Sequence, residues 1–302
     1  MPLSFYEIMW IFLIYAFIGW TLEVAYAAFR TGSFVNRGFL NGPVCPIYGC
    51  GVLLVVIVLN PLRENLLLLF VGSFFLTSAI EFVTGFLLEK LFHNKWWDYS
   101  EQRFNICGYV CLLFSVLWGL GCTFVLKVVH PLIYALIRLI PKLPGSIILG
   151  ILCAIFAVDL GITVASILKF NERLKLLDEI SGRMKVVSNE IGENIYEGVT
   201  VAVEKGGELK ENIYESVSAA VEKGGEFREN MDLKAAELKD VLAEKKAEKE
   251  RLQQEFNRLM AENVSFGMKR LMRAFPRMKS NAHQDSLQKW KNYWGTRRKK
   301  NV

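Results

Sequence analysis

The chain has 302 residues and a formal net charge of +6, and 52% of its residues are hydrophobic. These averages conceal two unlike halves. Residues 1–169 contain ten Lys/Arg and eight Asp/Glu, whereas residues 170–302 contain twenty-six Lys/Arg and twenty-two Asp/Glu. Apolar runs of about 20 residues match a hydrocarbon core of ~30 Å and exclude an ordinary soluble domain for the first half. The composition predicts an all-α chain in three parts: a transmembrane helical domain (1–169), a charged amphipathic arm (170–266) and a basic aromatic tail (267–302).

Apolar segments in the first part predict a bundle of about five transmembrane helices. The stretch 128–143 is only semi-apolar and contains two prolines, so it also fits an interfacial or re-entrant helix and leaves about four to six spans. The predicted spans are about 5–29, 47–59, 66–88, 106–126 and 146–168.

Charged residues near the segment ends predict the orientation of the bundle. No Lys or Arg precedes Glu7, so the first segment lacks the positive start of a secretory signal peptide and is expected to be a retained anchor. Lys and Arg concentrate on the cytoplasmic side of membrane proteins, and most of them follow residue 169. The prediction is a multi-pass protein of the bacterial cytoplasmic membrane, with its N-terminus outside and its arm in the cytoplasm.

The six cysteines all fall in the membrane part, mostly within apolar runs, which argues against a disulfide framework. Cys107 and Cys111 share one helix face, but no further His or Cys completes a metal site beside them. We therefore expect the cysteines to pack as small apolar side chains, with no metal and no cofactor.

Four carboxylates lie within or at the edge of the predicted spans: Glu23, Glu81, Glu89 and Asp159. Each costs a few kcal/mol at membrane depth unless it has a partner, a wet cavity or a proton. They are candidates for a substrate-, ion- or proton-binding site, and Glu23 and Glu81 are the stronger pair because apolar residues flank both. The structural alternative is a hydrogen bond between helices.

The stretch 41–51 contains two prolines and three glycines and runs directly into a predicted span. Irregular backbone at membrane depth is tolerated only where protein buries it or a cavity borders it, and interrupted spans often mark transporter sites. A turn at the membrane surface that leads into a helix at Pro46 is the equally weighted alternative.

Two stretches carry a combination of residues that resembles a known family. The first runs from Asn36 to Gly49, and the second includes Glu81, the run 97–100 and Trp118. Together they resemble the signature of the bacterial membrane family labelled putative ABC-transporter type IV, over about residues 5–165. The signature positions are Asn36, Arg37, Gly38, Gly42, Pro43, Cys45, Pro46, Tyr48, Gly49, Trp97, Asp98, Tyr99 and Asn105.

The resemblance implies a permease-like component of unknown substrate. The sequence contains no G-x-x-x-x-G-K-[ST] phosphate-binding loop, so an ATPase would be a separate nucleotide-binding subunit. It also contains no evident Ser/His or Cys/His constellation, so we assign no catalytic residue and predict no enzyme.

The arm contains an internal repeat, because residues 193–208 return in similar form at 211–226. An offset of 18 residues equals about five turns of a straight helix, and it aligns the apolar positions in one stripe. Such a stripe fits a membrane surface or a partner groove, and a solvated arm without a specific ligand is the alternative.

The tail combines eleven basic residues with aromatic ones and only one acidic residue. This composition is typical of contact with anionic lipid at the inner leaflet. Nucleic acid is a weaker alternative because no nucleic-acid-binding fold surrounds the cluster, and a merely solubilising tail is the third. The candidate lipid contacts are Lys269, Arg270, Arg273, Lys289, Trp290, Trp294, Arg297 and Arg298.

Two functions are consistent with these features of the sequence. One is a transport-type membrane protein whose carboxylates bind a substrate, an ion or a proton. The other is a non-transporting membrane anchor or scaffold whose arm recruits lipid or protein partners. The sequence leaves the oligomeric state open.

Overall fold

The computed structural model describes residues 3–213, 217–262 and 264–300, without the side chains of 201–202, 204–213, 217–232, 234 and 296–300. Its long apolar helices confirm the predicted all-α membrane fold. Two compact units are present: Met1–Glu172 with Asn263–Leu287, and Arg173–Glu262 with Gln288–Val302. The predicted tail, 267–302, is divided between the two units: residues up to Leu287 pack with the membrane helices, and residues from Gln288 belong to the second unit. This division differs from the predicted boundaries at 169 and 266.

The first unit is built from helices α1 to α5 and the first part of α6. In the part of the chain that the structure describes, four helical stretches are long and apolar enough to cross a membrane: Phe5–Thr31, Leu66–Phe92, Leu112–Leu139 and Lys142–Thr200. Pro46–Leu62 is a shorter apolar helix. The helices are α1 (Phe5–Thr31), α2 (Pro46–Leu59), α3 (Leu66–Phe92), α4 (Leu112–Phe124), α5 (His130–Leu139) and α6 (Lys142–Ile213).

The predicted fourth span needs correction at both ends. It begins at Leu112 rather than near 106, because residues 105–111 turn back on themselves as two short strands. A π-helical turn, Val125–Val129, then joins α4 to α5, so residues 128–139 continue the helix. Pro131 follows closely on this π-helical turn, where i→i+5 hydrogen bonds already replace the regular α-helical ladder.

Local signals set the helix ends. Ser4 and Glu7 form a capping box at the start of α1, with the Ser4 N–H donating to Glu7 Oε2 at 2.8 Å. Gly32 ends α1 with a left-handed φ of 65°, which glycine adopts without steric cost. Asn65 caps α3 by accepting from the Leu68 N–H at 3.1 Å.

Contacts at the two ends of the bundle show the path of α2. At one end Tyr134 donates to Glu7 at 2.7 Å. At the other end Asn94 contacts Asn171, and the loop before α2 contacts Asp159. Because α2 begins at this second end and packs through Leu59 beside the start of α3, it runs between the two ends as a short span does.

The second end of the bundle carries the loops that matter below. We call 32–45, between α1 and α2, loop A, and 93–111, between α3 and α4, loop B. Loop B contains β1 (Asn94–Lys95), β2 (Asn105–Ile106) and β3 (Val110–Cys111), and β2 pairs with β3. Helix α8 (Phe266–Ala274) and β4 (Lys279–Ser280) return to this unit, where β4 pairs antiparallel with β1.

The second unit is a helical hairpin rather than a single extended arm. The part of α6 from Arg173 onward packs antiparallel on α7 (Val217–Ala261), since Glu190 pairs with Lys245 at 2.7 Å and Arg173 pairs with Glu262. Helix α9 (Gln284–Lys300) also contributes to this unit. The stripe predicted from the 18-residue repeat falls mostly on side chains outside the described ones, so it stays a prediction. Core residues of the hairpin are Ile180, Val187 and Leu252.

Candidate carboxylate site in the helix bundle

Glu23 lies near the C-terminal end of α1 and has two partners. Its Oε1 accepts from the Tyr48 hydroxyl at 2.7 Å, and its Oε2 accepts from Arg37 Nε at 2.9 Å. Both side chains of the ion pair are partly exposed, at 25% for Glu23 and 30% for Arg37. The charge of Glu23 is thus balanced within the chain.

Loop A is shaped so that Arg37 reaches Glu23. The Asn36 carboxamide oxygen accepts from Trp20 Nε1 at 2.7 Å and from the Gly38 N–H at 3.0 Å, which fixes the turn around Arg37. Position 38 has little space, because a Cβ there would lie 2.9 Å from the Val44 carbonyl oxygen. The signature residues of this loop therefore act together to place one guanidinium on one carboxylate.

Glu81 lies on α3 and differs from Glu23 in having an oxygen without a partner. Its side chain is only 8% exposed. Oε1 accepts from the Tyr99 hydroxyl at 3.3 Å, and the Trp118 side chain lies close to the carboxylate. Oε2 is buried and has no hydrogen-bond partner among the residues that the structure describes.

Aromatic rings join the two carboxylates into one cluster. Tyr48, which binds Glu23, packs edge-to-face on Trp118 with ring centroids 5.4 Å apart. Trp118 contacts Glu81, so the chain of contacts is continuous from α1 to α3. We call Glu23, Tyr48, Trp118, Glu81 and Tyr99 the carboxylate cluster.

The cluster depends on close helix packing. A Cβ on Gly19 of α1 would overlap the Tyr48 ring. On α3, a Cβ on Gly85 would lie 2.9 Å from the Tyr109 ring and 3.2 Å from Trp97. Small residues at these points allow aromatic side chains to enter between the helices.

Asp159 has a different role from the cluster. Its carboxylate accepts from the Asn41 N–H at 3.1 Å, the Asn41 side chain at 2.8 Å and the Gly42 N–H at 2.7 Å. It therefore supplies the hydrogen bonds that the irregular backbone of loop A lacks. Regular helix resumes at Pro46, as predicted for a turn that leads into a helix there, and the depth of 41–45 in the membrane stays a prediction.

Glu89 is also separate, because its Oε1 accepts from Asn281 Nδ2 at 2.6 Å at the end of α3. Of the four candidate carboxylates, the structure thus brings together Glu23 and Glu81 only. Sequence reasoning missed the part that Trp118 plays, although this residue belongs to the combination that suggested the family.

Loop B holds the remaining signature residues. Trp97 Nε1 donates to the Tyr109 carbonyl at 2.9 Å, and Asn105 accepts from the Gly108 N–H at 3.2 Å. Asp98 pairs with Lys279 at 2.6 Å and with Lys95 at 3.2 Å. Burial raises the pKa of Asp98, but hydrogen bonds from Lys279, Ser100 and Lys95 outweigh it and hold that pKa well below its usual range.

Two of the predicted lipid contacts face the protein instead. Arg270 is 8% exposed, and Trp290 is 3% exposed in the second unit. The lipid-binding prediction is wrong for these two side chains because protein covers them. It stays a prediction for the others, and the side chains of Arg297 and Arg298 lie outside the described residues.

The sequence profile of the family described as "Putative ABC-transporter type IV" matches residues 10–164, just over half of the chain. The chain belongs to this family. The match covers the membrane helices and both signature loops, and it confirms the resemblance drawn from them. It identifies a membrane protein related to ABC transporters and does not extend to the hairpin or to residues 264–281. No curated protein and no solved structure matches the chain.

Proposed function

We propose that this protein is a permease-like component of a transport system and that Glu81 is its proton- or cation-binding group. The observation that carries the proposal is the buried Oε2 of Glu81, which has no partner among the described residues. A carboxylate at membrane depth needs a proton, a cation or a wet cavity, because its bare charge costs a few kcal/mol there.

The contrast with Glu23 supports this assignment. Glu23 has a guanidinium 2.9 Å away, whereas the Glu81 carboxylate has the uncharged side chains of Tyr99 and Trp118 as its neighbours. Tyr99 holds Oε1 by a hydrogen bond and leaves Oε2 for the ligand. A proton or a small monovalent cation would bind to Glu81 and be released from it. This step would couple the movement of that ion to transport through the bundle. We propose no catalytic role for the cluster.

The test is infrared spectroscopy of the purified protein in lipid, with pH and then Na⁺ or K⁺ as the variables. We expect a protonated-carboxyl band that disappears at high pH or on addition of the cation. Glu81→Gln should remove this band without loss of folding, since the amide keeps the shape of the side chain. Glu64→Gln is the control, because Glu64 is 93% exposed. A band of unchanged intensity in folded Glu81→Gln would exclude Glu81 as the binding group.

The source of energy is a separate part of the proposal. The family name points to ABC transporters, and the sequence contains no phosphate-binding loop of its own. We propose that any ATPase is a second subunit. Mass spectrometry of proteins that co-purify from native membranes in mild detergent tests this, since a stoichiometric nucleotide-binding subunit supports it. Reproducible absence of such a subunit would favour an ATP-independent carrier.

A scaffold function is the second candidate, because the hairpin is a compact unit of its own. Arg173 and Glu262 form an ion pair, so residues 176–259 can be replaced by a short Gly/Ser linker that leaves both flanks in place. A scaffold would lose its co-purifying proteins in this variant. A transport component should keep the infrared band of Glu81.

We propose that the end of the bundle with loops A and B is cytoplasmic. Lys and Arg are more numerous there, and most of the chain's Lys and Arg follow Lys169, which lies at this end. The basic residues at this end are Arg30, Arg37, Lys90, Lys95, Arg103 and Lys169, against Arg63, Lys127, Arg138 and Lys142 at the other.

A further inference from the structure

Residues 264–281, which we call the C-terminal segment, fold back onto the two signature loops of the membrane unit. The segment lies outside the residues matched by the family. Several of its apolar side chains are almost completely buried, namely Met268, Leu271, Ala274 and Met278. It is thus an integral part of the described fold rather than a loose tail.

Arg270 is the main contact with loop A. Its guanidinium donates to the carbonyl oxygens of Gly38 at 2.6 Å and Phe39 at 2.8 Å, to that of Asn36 at 3.4 Å, and to Asn41 Oδ1 at 3.2 Å. Burial lowers the pKa of Arg270 to about 10, while the nearby charge of Asp159 acts in the opposite direction. The side chain therefore stays charged at neutral pH, although backbone carbonyls rather than a carboxylate receive its hydrogen bonds.

Loop B meets the same segment along one edge. Phe275 packs edge-to-face on Trp96 at 5.3 Å, and Lys279 pairs with Asp98 at 2.6 Å. Strand β4 extends β1, with Asn94 opposite Ser280 and Lys95 opposite Lys279.

Each loop contacts the C-terminal segment on one side and the carboxylate cluster on the other. In loop B, Trp96 and Asp98 contact the C-terminal segment, whereas Trp97 and Tyr99 contact α3, as expected for alternate residues of an extended chain. In loop A, the carbonyl oxygens around Arg37 bind Arg270, while the Arg37 side chain binds Glu23. The segment thus holds the two loops that supply Arg37 and Tyr99 to the two carboxylates.

We propose that the C-terminal segment is a latch that closes this end of the bundle, and that its release opens water access to Glu81. While the latch is docked, Tyr99 stays on Glu81 and Arg37 on Glu23. When it leaves, both loops lose the contacts that fix them. The proposal relies on the proposed function only in taking Glu81 as the group to which access matters.

The test measures aqueous access to Glu81 directly. The full-length protein in lipid nanodiscs is treated with a water-soluble carbodiimide and an amine nucleophile, and labelling of Glu81 is located by peptide mass. Wild type should be labelled slowly. Arg270→Gln should be labelled on the order of tenfold faster, because it removes hydrogen bonds from a charged donor that each stabilise the docked state.

Arg273→Gln is the matched control, since it removes the same charge from an exposed position of the same helix. It should be labelled like wild type. Lys279→Gln leaves Arg270 in place and removes only the ion pair with Asp98, so it should give a smaller increase even if Arg270→Gln fails to fold.

Hydrogen exchange of loop A and loop B in the same samples separates a latch from a structural clamp. A latch predicts faster exchange in both loops together with faster labelling of Glu81. Equal labelling of Glu81 in wild type, Arg270→Gln and Lys279→Gln would overturn the proposal, whatever the loops do. Absence of a titrating infrared band would refute the proposed function alone, because the labelling rate does not depend on transport.

Discussion

Replacement of Asp159 by asparagine tests how the broken backbone of loop A is stabilised. The two Asp159 oxygens accept from the Gly42 N–H at 2.7 Å and from the N–H and side chain of Asn41 at 3.1 and 2.8 Å. An asparagine presents an amide NH₂ in place of one of these acceptors. In either orientation of the amide, at least one donor of loop A then faces another donor.

The magnitude follows from these contacts. A hydrogen bond to a charged acceptor contributes about 1.5–3 kcal/mol, and a buried donor left without an acceptor costs about 1–3 kcal/mol. Asp159→Asn should therefore lower the free energy of unfolding by about 3 kcal/mol. For a unit of this size, such a change corresponds to a Tm lower by roughly 6–12 °C.

The assay is thermal unfolding of the purified protein in one detergent, combined with hydrogen exchange of loop A. Exchange at Asn41 and Gly42 should increase most. Glu64→Gln removes a carboxylate that is 93% exposed and should leave both measurements unchanged. If Asp159→Asn unfolds at the same temperature as this control, loop A does not depend on Asp159 and the reasoning is refuted.

Two further predictions concern packing and pH. Gly19→Ala should destabilise the protein by about 1–3 kcal/mol through overlap with the Tyr48 ring, whereas Gly150→Ala, where a Cβ meets nothing within 4 Å, should stay near wild type in the same unfolding assay. Lys279→Gln should lower the Tm by a similar amount at every pH from about 5 to 9, because Asp98 is ionised in the folded and unfolded states over that range. Hydrogen bonds hold the pKa of Asp98 below its usual range, so the stability that this carboxylate adds is lost as pH falls from about 4 towards its folded pKa. The difference between variant and wild type should therefore shrink below pH ~4, and a constant difference in Tm across a pH series would contradict the assignment.

Hydropathy was sufficient to predict the membrane helices, because each span must hold a continuous apolar run. Hydropathy did not decide the structure of residues 128–143, where apolar, charged and proline residues are mixed. Lys127, Pro131 and Arg138 make 128–139 look interfacial, yet the π-helical turn carries the helix through this region. Lys127 lies beside Glu64 at 3.8 Å near the end of the bundle, where a charged side chain is tolerated.

The carboxylates were found by the same argument, since a charge within an apolar run is conspicuous. Their partners were not predictable from spacing. Trp118 lies 37 positions after Glu81, and Asn41 lies 118 positions before Asp159. Such pairs form only after the helices have packed, and a single sequence carries no periodic signal of them.

Arg270 shows the same limit more clearly. A basic residue among apolar neighbours near the end of a membrane protein is typical of lipid contact. Its actual partners are backbone carbonyl oxygens of loop A. Because every residue has a backbone carbonyl, the residue types in the sequence do not indicate such a site. The fold of loop A, set by Asn36, Gly38 and Asp159, is what makes those oxygens converge on one point.

The arrangement of the two loops gives the strongest reason to place function at the carboxylate cluster. If the loops served only to connect helices, short polar turns would be sufficient and would need no charged or phenolic side chain directed into the bundle. Instead, Arg37 from loop A and Tyr99 from loop B reach Glu23 and Glu81, at 2.9 and 3.3 Å. Each loop is in turn held on its far side by the C-terminal segment, through Arg270 on loop A and Lys279 on loop B. A buried carboxylate with one oxygen that has no partner among the described residues fits the proposed exchange of a proton or cation, because an apolar residue at position 81 would cost less to bury.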